Sequence, residues 1–307
     1  MLTSGVWPTM LTPFNEQGEL DGESLARLTN WYLNKGVDGL FAVCQSSEMF
    51  ALSLEERVRI AGEVVKTAAG RAPVIASGHI ADGLEGQAEE IAAMASTGVE
   101  AVVLVTNRLA SPHESDETWQ HNVEELLCRL PDKIRLGFYE CPYPYKRLLS
   151  PELLRWCANT GRFFFLKDTC CDAMMIERRM EAVKDSPFRL FNANSATLLA
   201  SLQAGAAGYS GIMANFHPEL YVWLLQNWRE NPETAERLSD FLSLTSMIEK
   251  QLYPVNAKYG LQLEGILDGI YARSGQHEHF GATQKLEVEQ LLRSGRAFAE
   301  LLQMEPI

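Results

Sequence analysis

The chain has no Cys-x-x-Cys pair, and its six cysteines, Cys44, Cys128, Cys141, Cys157, Cys170 and Cys171, are scattered over 307 residues. That scarcity argues against a disulfide framework or a structural zinc site. Basic residues are also few, 27 Lys and Arg against 40 Asp and Glu, giving a formal charge of −13. Such a balance repels nucleic-acid phosphates and anionic lipid, so neither nucleic acid nor membrane is an expected partner. No run approaches the roughly 20 apolar residues of a membrane span. The opening Met1-Leu2-Thr3-Ser4 has neither the basic start nor the apolar core of a signal peptide, and a cytoplasmic location is expected. No Gly-x-Gly-x-x-Gly turn follows the first apolar run, where Trp7-Pro8-Thr9-Met10-Leu11-Thr12-Pro13-Phe14 stands, which weakens a dinucleotide-binding doubly wound sheet. His277 and His279 flank Glu278, but His-x-His on a polar loop is a poor metal signature, and no metal, nucleotide or flavin is expected.

What is present is a composition fit for a packed core, 46% hydrophobic. Eight short runs read as strands: Val6–Met10, Gly39–Val43, Val74–Ala76, Ala101–Val105, Ile134–Tyr139, Phe163–Leu166, Arg189–Asn192 and Gly208–Ile212. Helical periodicity fills intervals between them, as at Glu23–Asn34, Leu54–Ala69, Gln87–Ser96 and Thr118–Arg129. Ser53 with Glu56 forms a capping box, and Ser150-Pro151-Glu152 is a good helix start. Gly36, Gly70, Gly98 and Gly205 end helices ahead of the next strand. Strict strand–helix alternation predicts a parallel sheet, and eight units predict an α/β fold of the (β/α)8 TIM-barrel class over residues 1–230. Beyond Asn231 the strands stop. Glu233–Gln251, Lys258–Arg273 and Thr283–Gln303 read as a C-terminal helical region, 231–307, packed on the barrel or on a neighbouring subunit. Trp223, Leu224 and Trp228 are candidates for a subunit contact or for packing under those helices.

In such a barrel the active site lies at the C-terminal ends of the strands, so the residues there carry the chemistry. Lys167 closes the run Phe163-Phe164-Phe165-Leu166 and precedes Asp168-Thr169. Burial disfavours its ammonium form and leaves an amine able to attack a carbonyl and form a Schiff base. The bland alternative is a lysine whose tip reaches solvent. The fifth strand ends at Tyr139, ahead of Glu140-Cys141-Pro142, and a phenol beside the amine would move protons on and off the reacting oxygens. The second strand runs into Gln45-Ser46-Ser47-Glu48, whose hydroxyls and N–H groups suit a carboxylate. Each has an ordinary alternative, as turn chemistry, rim packing or a helix-terminal charge.

With these residues in place, the chain resembles the dihydrodipicolinate synthase and N-acetylneuraminate lyase family of Schiff-base pyruvate aldolases. The resemblance runs from Gly5-Val6 through Thr12-Pro13-Phe14, Gly36-Val37-Asp38-Gly39-Leu40, Glu48, Leu52-Ser53 and Glu55-Glu56-Arg57. It continues through Pro73-Val74-Ile75-Ala76, Gly98-Val99-Glu100-Ala101, Tyr139 with Pro142, Lys167, and Gly205 through Gly208 to Ala214-Asn215. It implies that Lys167 is the imine-forming lysine and Tyr139 the general acid and base. It places Gln45, Ser46 and Ser47 in the carboxylate loop, Ala193 near a pocket glycine and Ser210 beside the imine. A homo-oligomer, dimer or tetramer, is implied by the same resemblance.

The departures refine this reading. Gln45 replaces the hydroxyl that joins a tyrosine relay in the synthases, and the relay's second tyrosine would fall near Leu109. Pro144 stands where the synthases carry an arginine for the aldehyde partner's carboxylate. Dihydrodipicolinate synthesis is therefore disfavoured. Lys167-Asp168-Thr169 has the Lys-x-Thr pattern of the sialate lyases, and Ser210 supplies a hydroxyl, but Asn194-Ser195 replaces their acidic pair. The expected substrate is a 2-oxo acid, hydroxylated or sugar-acid-derived. Ser77, His79, Arg108, Lys146, Asn192 and Asn194 are candidate selectors at the other strand ends, with Arg108 or Lys146 as a replacement anion anchor. The alternatives are a 2-keto-3-deoxy sugar acid dehydratase of the same fold and a noncatalytic homologue that binds a small oxo acid.

Overall fold

The structure, a computed structural model, describes residues 2–304. Its strands are β1 (Gly5–Val6), β2 (Leu40–Phe41), β3 (Val74–Ala76), β4 (Ala101–Val105), β5 (Leu136–Tyr139), β6 (Phe163–Asp168), β7 (Arg189–Asn192) and β8 (Gly208–Tyr209). Between and after them come α1 (Gly22–Asn34), α2 (Leu54–Ala68), α3 (Leu84–Ala95), α4 (Asp116–Arg129), α5 (Pro151–Asn159), α6 (Ala173–Val183), α7 (Leu198–Gln203) and α8 (Pro218–Asn227). Three further helices follow, α9 (Pro232–Thr245), α10 (Val255–Leu263) and α11 (Ala282–Leu301).

The strands form one parallel sheet in the order β1-β8-β7-β6-β5-β4-β3-β2. The remaining seam is bridged by the residues after β1: Phe41 N donates to Pro8 O at 3.0 Å and Met10 N to Phe41 O at 3.0 Å. The sheet thus curls until its two ends meet, as in a (β/α)8 barrel. At the β1–β8 seam a side chain on Gly208 would lie 1.9 Å from Gly5 O, so the close approach of the two strands requires glycine there. Trp7, Phe41, Phe165 and Phe191 converge in the core, with ring centroids 5.6 Å apart for Trp7–Phe191 and 5.9 Å for Phe41–Phe165.

The helix starts follow their caps. Ser53 Oγ accepts from Glu56 N at 3.2 Å while Glu56 Oε2 accepts from Ser53 N at 2.9 Å. Ser150 Oγ accepts from Leu153 N at 3.2 Å. Two C-terminal segments differ from expectation. α9 gives way at Ser246 to a tighter 3₁₀ turn, Ser246–Lys250. The helix expected over Lys258–Arg273 stops at Leu263, because Gly265 enters the left-handed region at φ 71° and turns the chain. Leu224 is buried, and Trp223 and Trp228 pack partly buried against the core. No helix of the described residues is long and apolar enough to cross a membrane.

Candidate active site

Side chains alternate along a strand, so Phe165 and Lys167 share one face of β6 while Asp168 points to the other. Phe165 sits among the core rings, and Lys167 therefore emerges above them. The β5–β6 register places Tyr139 directly beside Lys167. Lys167 Nζ lies 4.4 Å from the centroid of the Tyr139 ring, and both residues are only 4% exposed. They line a cavity of about 360 Å³, together with Thr169 just after β6 and Gln45, Ser46, Ala193 and Asn194 from other strand ends. Residues after α9 complete it, among them Glu249 and Tyr253.

Burial is the dominant influence on both groups. It pushes the Lys167 amine below its ordinary pKa, against a weaker upward pull from Cys44, Cys141 and Glu249. Among the described residues no hydrogen bond or ion pair holds Lys167 Nζ. Burial also holds the Tyr139 phenol well above its ordinary range, so it stands ready as a proton donor. Its hydroxyl donates to Gln45 Oε1 at 3.3 Å, and Cys141 Sγ donates to the same oxygen at 3.3 Å. Ser46 Oγ donates to Thr9 Oγ1 at 3.1 Å at the cavity wall.

The sequence profile of the dihydrodipicolinate synthetase family matches residues 2–293. This chain belongs to that family. A 4-hydroxy-tetrahydrodipicolinate synthase of Saccharophagus degradans is 25% identical, covering 94% of this chain and 98% of the relative. An N-acetylneuraminate lyase of Enterobacter sp. is 30% identical, covering 76% and 77%. Among solved structures, the synthase DapA-2 of Bacillus anthracis superposes with a TM-score of 0.86 at 19% identity, covering 96% of this chain and 99% of that one. YagE of E. coli, solved with pyruvate, gives 0.84 at 20% identity, covering 96% and 99%. The family consists of Schiff-base pyruvate aldolases and lyases, and this protein is an enzyme, a lyase of the class I aldolase type.

Behind Lys167 and Tyr139 lies a charged cluster. The alternation that turns Tyr139 and Lys167 inward turns Glu140 and Asp168 outward, where Arg179 of α6 meets both. Arg179 Nη2 donates to Glu140 Oε1 at 2.7 Å, and Nη1 pairs with Asp168 Oδ2; all three side chains are wholly buried. Glu140 also accepts from Leu149 N at 2.8 Å and Thr169 N at 3.0 Å. Burial raises the Glu140 carboxyl and Arg179 opposes the rise. Glu140 thus braces the strand ends that carry the phenol and the amine.

Several other sequence candidates lie outside the cavity. Ser47 turns away: its hydroxyl donates to Met10 O at 2.7 Å and Ala42 O at 3.0 Å, and accepts from Cys44 N at 3.1 Å. These bonds fix the loop, and the left-handed residue is Glu48, at φ 59°. His79 joins β3 to β4, with Nδ1 accepting from Val105 N at 2.9 Å and Nε2 2.9 Å from Gln87 Oε1; burial lowers its pKa to about 4. Arg108 is engaged by Asp82 at 2.7 Å and lies over the Phe50 ring. Asn192 donates to Thr197 Oγ1 at 3.0 Å and Ser201 Oγ at 3.1 Å, a turn contact away from the cavity. Ser77 and Ser210 are buried, and their hydroxyls have no partner among the described residues. Lys146 does reach the cavity and donates to Thr169 O at 2.8 Å.

Glu249 and Tyr253 escaped the sequence reading because they arrive from beyond the barrel. Tyr253 accepts a hydrogen bond from Asn215 Nδ2 at 3.1 Å, and Asn215 Oδ1 accepts from the Tyr32 hydroxyl. The expected run of helix over Glu233–Gln251 hid the change to a 3₁₀ turn that aims Glu249 inward. Near His277, Nδ1 accepts from Ala272 N at 3.3 Å, and no group of three or more His, Cys, Asp or Glu that could hold a metal occurs among the described residues.

Proposed function

We propose that the protein is a Schiff-base lyase or aldolase that cleaves or condenses a pyruvate-type 2-oxo acid, hydroxylated or sugar-acid-derived, through Lys167. The reading rests on one observation above all: a buried, unpaired amine beside a buried phenol in a cavity at the strand ends. The neutral Lys167 amine attacks the C2 ketone, and Tyr139 protonates the carbinolamine oxygen, which leaves as water. In the cleavage direction the C3–C4 electrons flow into the protonated imine while the C4 hydroxyl proton passes to the Tyr139 phenolate. An aldehyde departs, the enamine is protonated at C3, and hydrolysis frees pyruvate and the amine. Ser46 and its turn are positioned to hold the substrate carboxylate, with Thr169, Ala193 and Asn194 along the chain of the substrate.

A dehydratase of the same family would use the same amine, phenol and carboxylate cradle. Dihydrodipicolinate synthesis fits less well, although many relatives bear the synthase name. Pro144 offers no charge at the arginine position, Leu109 is buried, and Arg108 is held by Asp82. The test is intact mass spectrometry after incubation with pyruvate and borohydride, followed by product analysis with 2-keto-3-deoxy sugar acids. The expected outcome is a reduced adduct, then pyruvate plus an aldehyde. An oxo acid of unchanged carbon count would mean the dehydratase, and no adduct in folded protein would sink the imine reading.

A further inference from the structure

The cavity contains two carboxylates in very different circumstances. Glu48 is fully engaged, with Oε1 accepting from Lys258 Nζ at 2.7 Å and Oε2 from Arg273 N at 2.8 Å. Glu249, in the Ser246–Lys250 turn, lines the same cavity as Lys167, yet no hydrogen bond or ion pair ties its carboxylate among the described residues. Its burial raises its pKa to about 7, with Lys167 opposing the rise. The cationic side chains of the cavity are Lys167 itself and the exposed Lys146; no arginine lines it. Once the ketone carbon is bonded to Lys167, the far half of the substrate must share this space with Glu249.

We propose that Glu249 is a specificity-determining residue that excludes 2-oxo acids bearing a second carboxylate and accepts those whose far half offers hydroxyl donors. The inference rests on the imine-forming role of Lys167. A second carboxylate brought against Glu249 is repelled, and the cation that lines the cavity besides Lys167 is Lys146, which is exposed and already donates to Thr169 O at 2.8 Å, whereas a hydroxyl donates to Glu249. The absence of a charge at Pro144 and the presence of one at Glu249 act in the same direction.

The test uses borohydride trapping read by intact mass, with pyruvate, 2-oxoglutarate and 2-oxopentanoate as probes. The last two have equal carbon count and differ in the terminal carboxylate. Trapping of each is normalised to the pyruvate adduct of the same protein, for wild type and Glu249→Gln, at pH 6 and pH 8. Glu249 is mostly charged above pH 7 and mostly neutral below it. In wild type, 2-oxopentanoate should therefore exceed 2-oxoglutarate by about tenfold or more at pH 8, and by less at pH 6. In Glu249→Gln the preference should be small and equal at both pH values.

The ionisable groups that sense Glu249 are Lys167, Cys171, Tyr209, Tyr221 and Tyr253, with Lys146 on the same cavity and Lys250 its exposed neighbour in the chain. Burial raises the three tyrosines and Cys171 away from the tested range, and titration of Lys167 acts on both acids alike and cancels in the ratio. A wild-type ratio that ignores pH and is unmoved by Glu249→Gln, beside a clear pyruvate adduct, overturns the role of Glu249 alone. A missing pyruvate adduct, or one that survives Lys167→Ala, overturns the imine reading and this inference with it.

Discussion

Lys167 and Lys258 are both buried, 4% and 0% exposed, and burial lowers the pKa of both. Their surroundings differ in kind. Lys258, on α10, donates to Glu48 Oε1 and Tyr271 O, each at 2.7 Å, and lies over the Phe14 ring. Lys167, on β6, has the face of Tyr139 and open cavity. Burial alone does not make a lysine a nucleophile. A matched carboxylate keeps the ammonium form in place and fastens two parts of the chain, whereas an unmatched amine loses its proton readily and stays available.

The sharpest way to break this comparison is to remove each lysine in turn. Lys167→Ala should abolish the pyruvate–borohydride adduct, while Lys258→Met should retain it, both read by intact mass. Next in size, Tyr139→Phe should slow turnover of a cleavable 2-oxo acid by about 10²- to 10⁴-fold, the usual contribution of a positioned acid–base group, without removing the adduct. Lys258→Met should also cost about 3–5 kcal/mol in denaturant unfolding, because Glu48 is left with a buried, uncompensated charge. Adding Glu48→Gln should restore much of that loss, and strict additivity of the two changes would argue against a coupled pair. The smallest effect has the opposite sign: Lys167→Met should stabilise the fold by about 1 kcal/mol, since it replaces an unpartnered amine with an apolar chain of similar length.

How much of this was legible in the chain follows from where each signal lies. β3, β4 and β7 coincide with the runs read as strands, because continuous apolar segments between turn residues leave little latitude. Tyr139 and Lys167 were legible for the same reason: each closes such a run, and in a barrel every strand ends at the site. The turn residues were less transparent. Ser47, His79 and Arg108 follow strands too, yet all three satisfy neighbouring polar groups and turn from the cavity. Sequence position places a residue at the rim but does not say which way it faces. Arg179, Glu249 and Tyr253 come from a helix flank and from beyond the barrel, and no local pattern announces a partner 11 or 39 residues away, as Asp168 and Glu140 are from Arg179.

The cluster around Arg179 has a further consequence, for how the enzyme should lose activity on heating. One guanidinium holds the residue after the phenol and the residue after the amine, so the separation of Tyr139 and Lys167 is set by the docking of α6. A loop-borne pair could drift apart while the rest of the molecule stayed intact. Here α6 must leave its seat before the phenol and amine can part, and inactivation should therefore coincide with the loss of that helix.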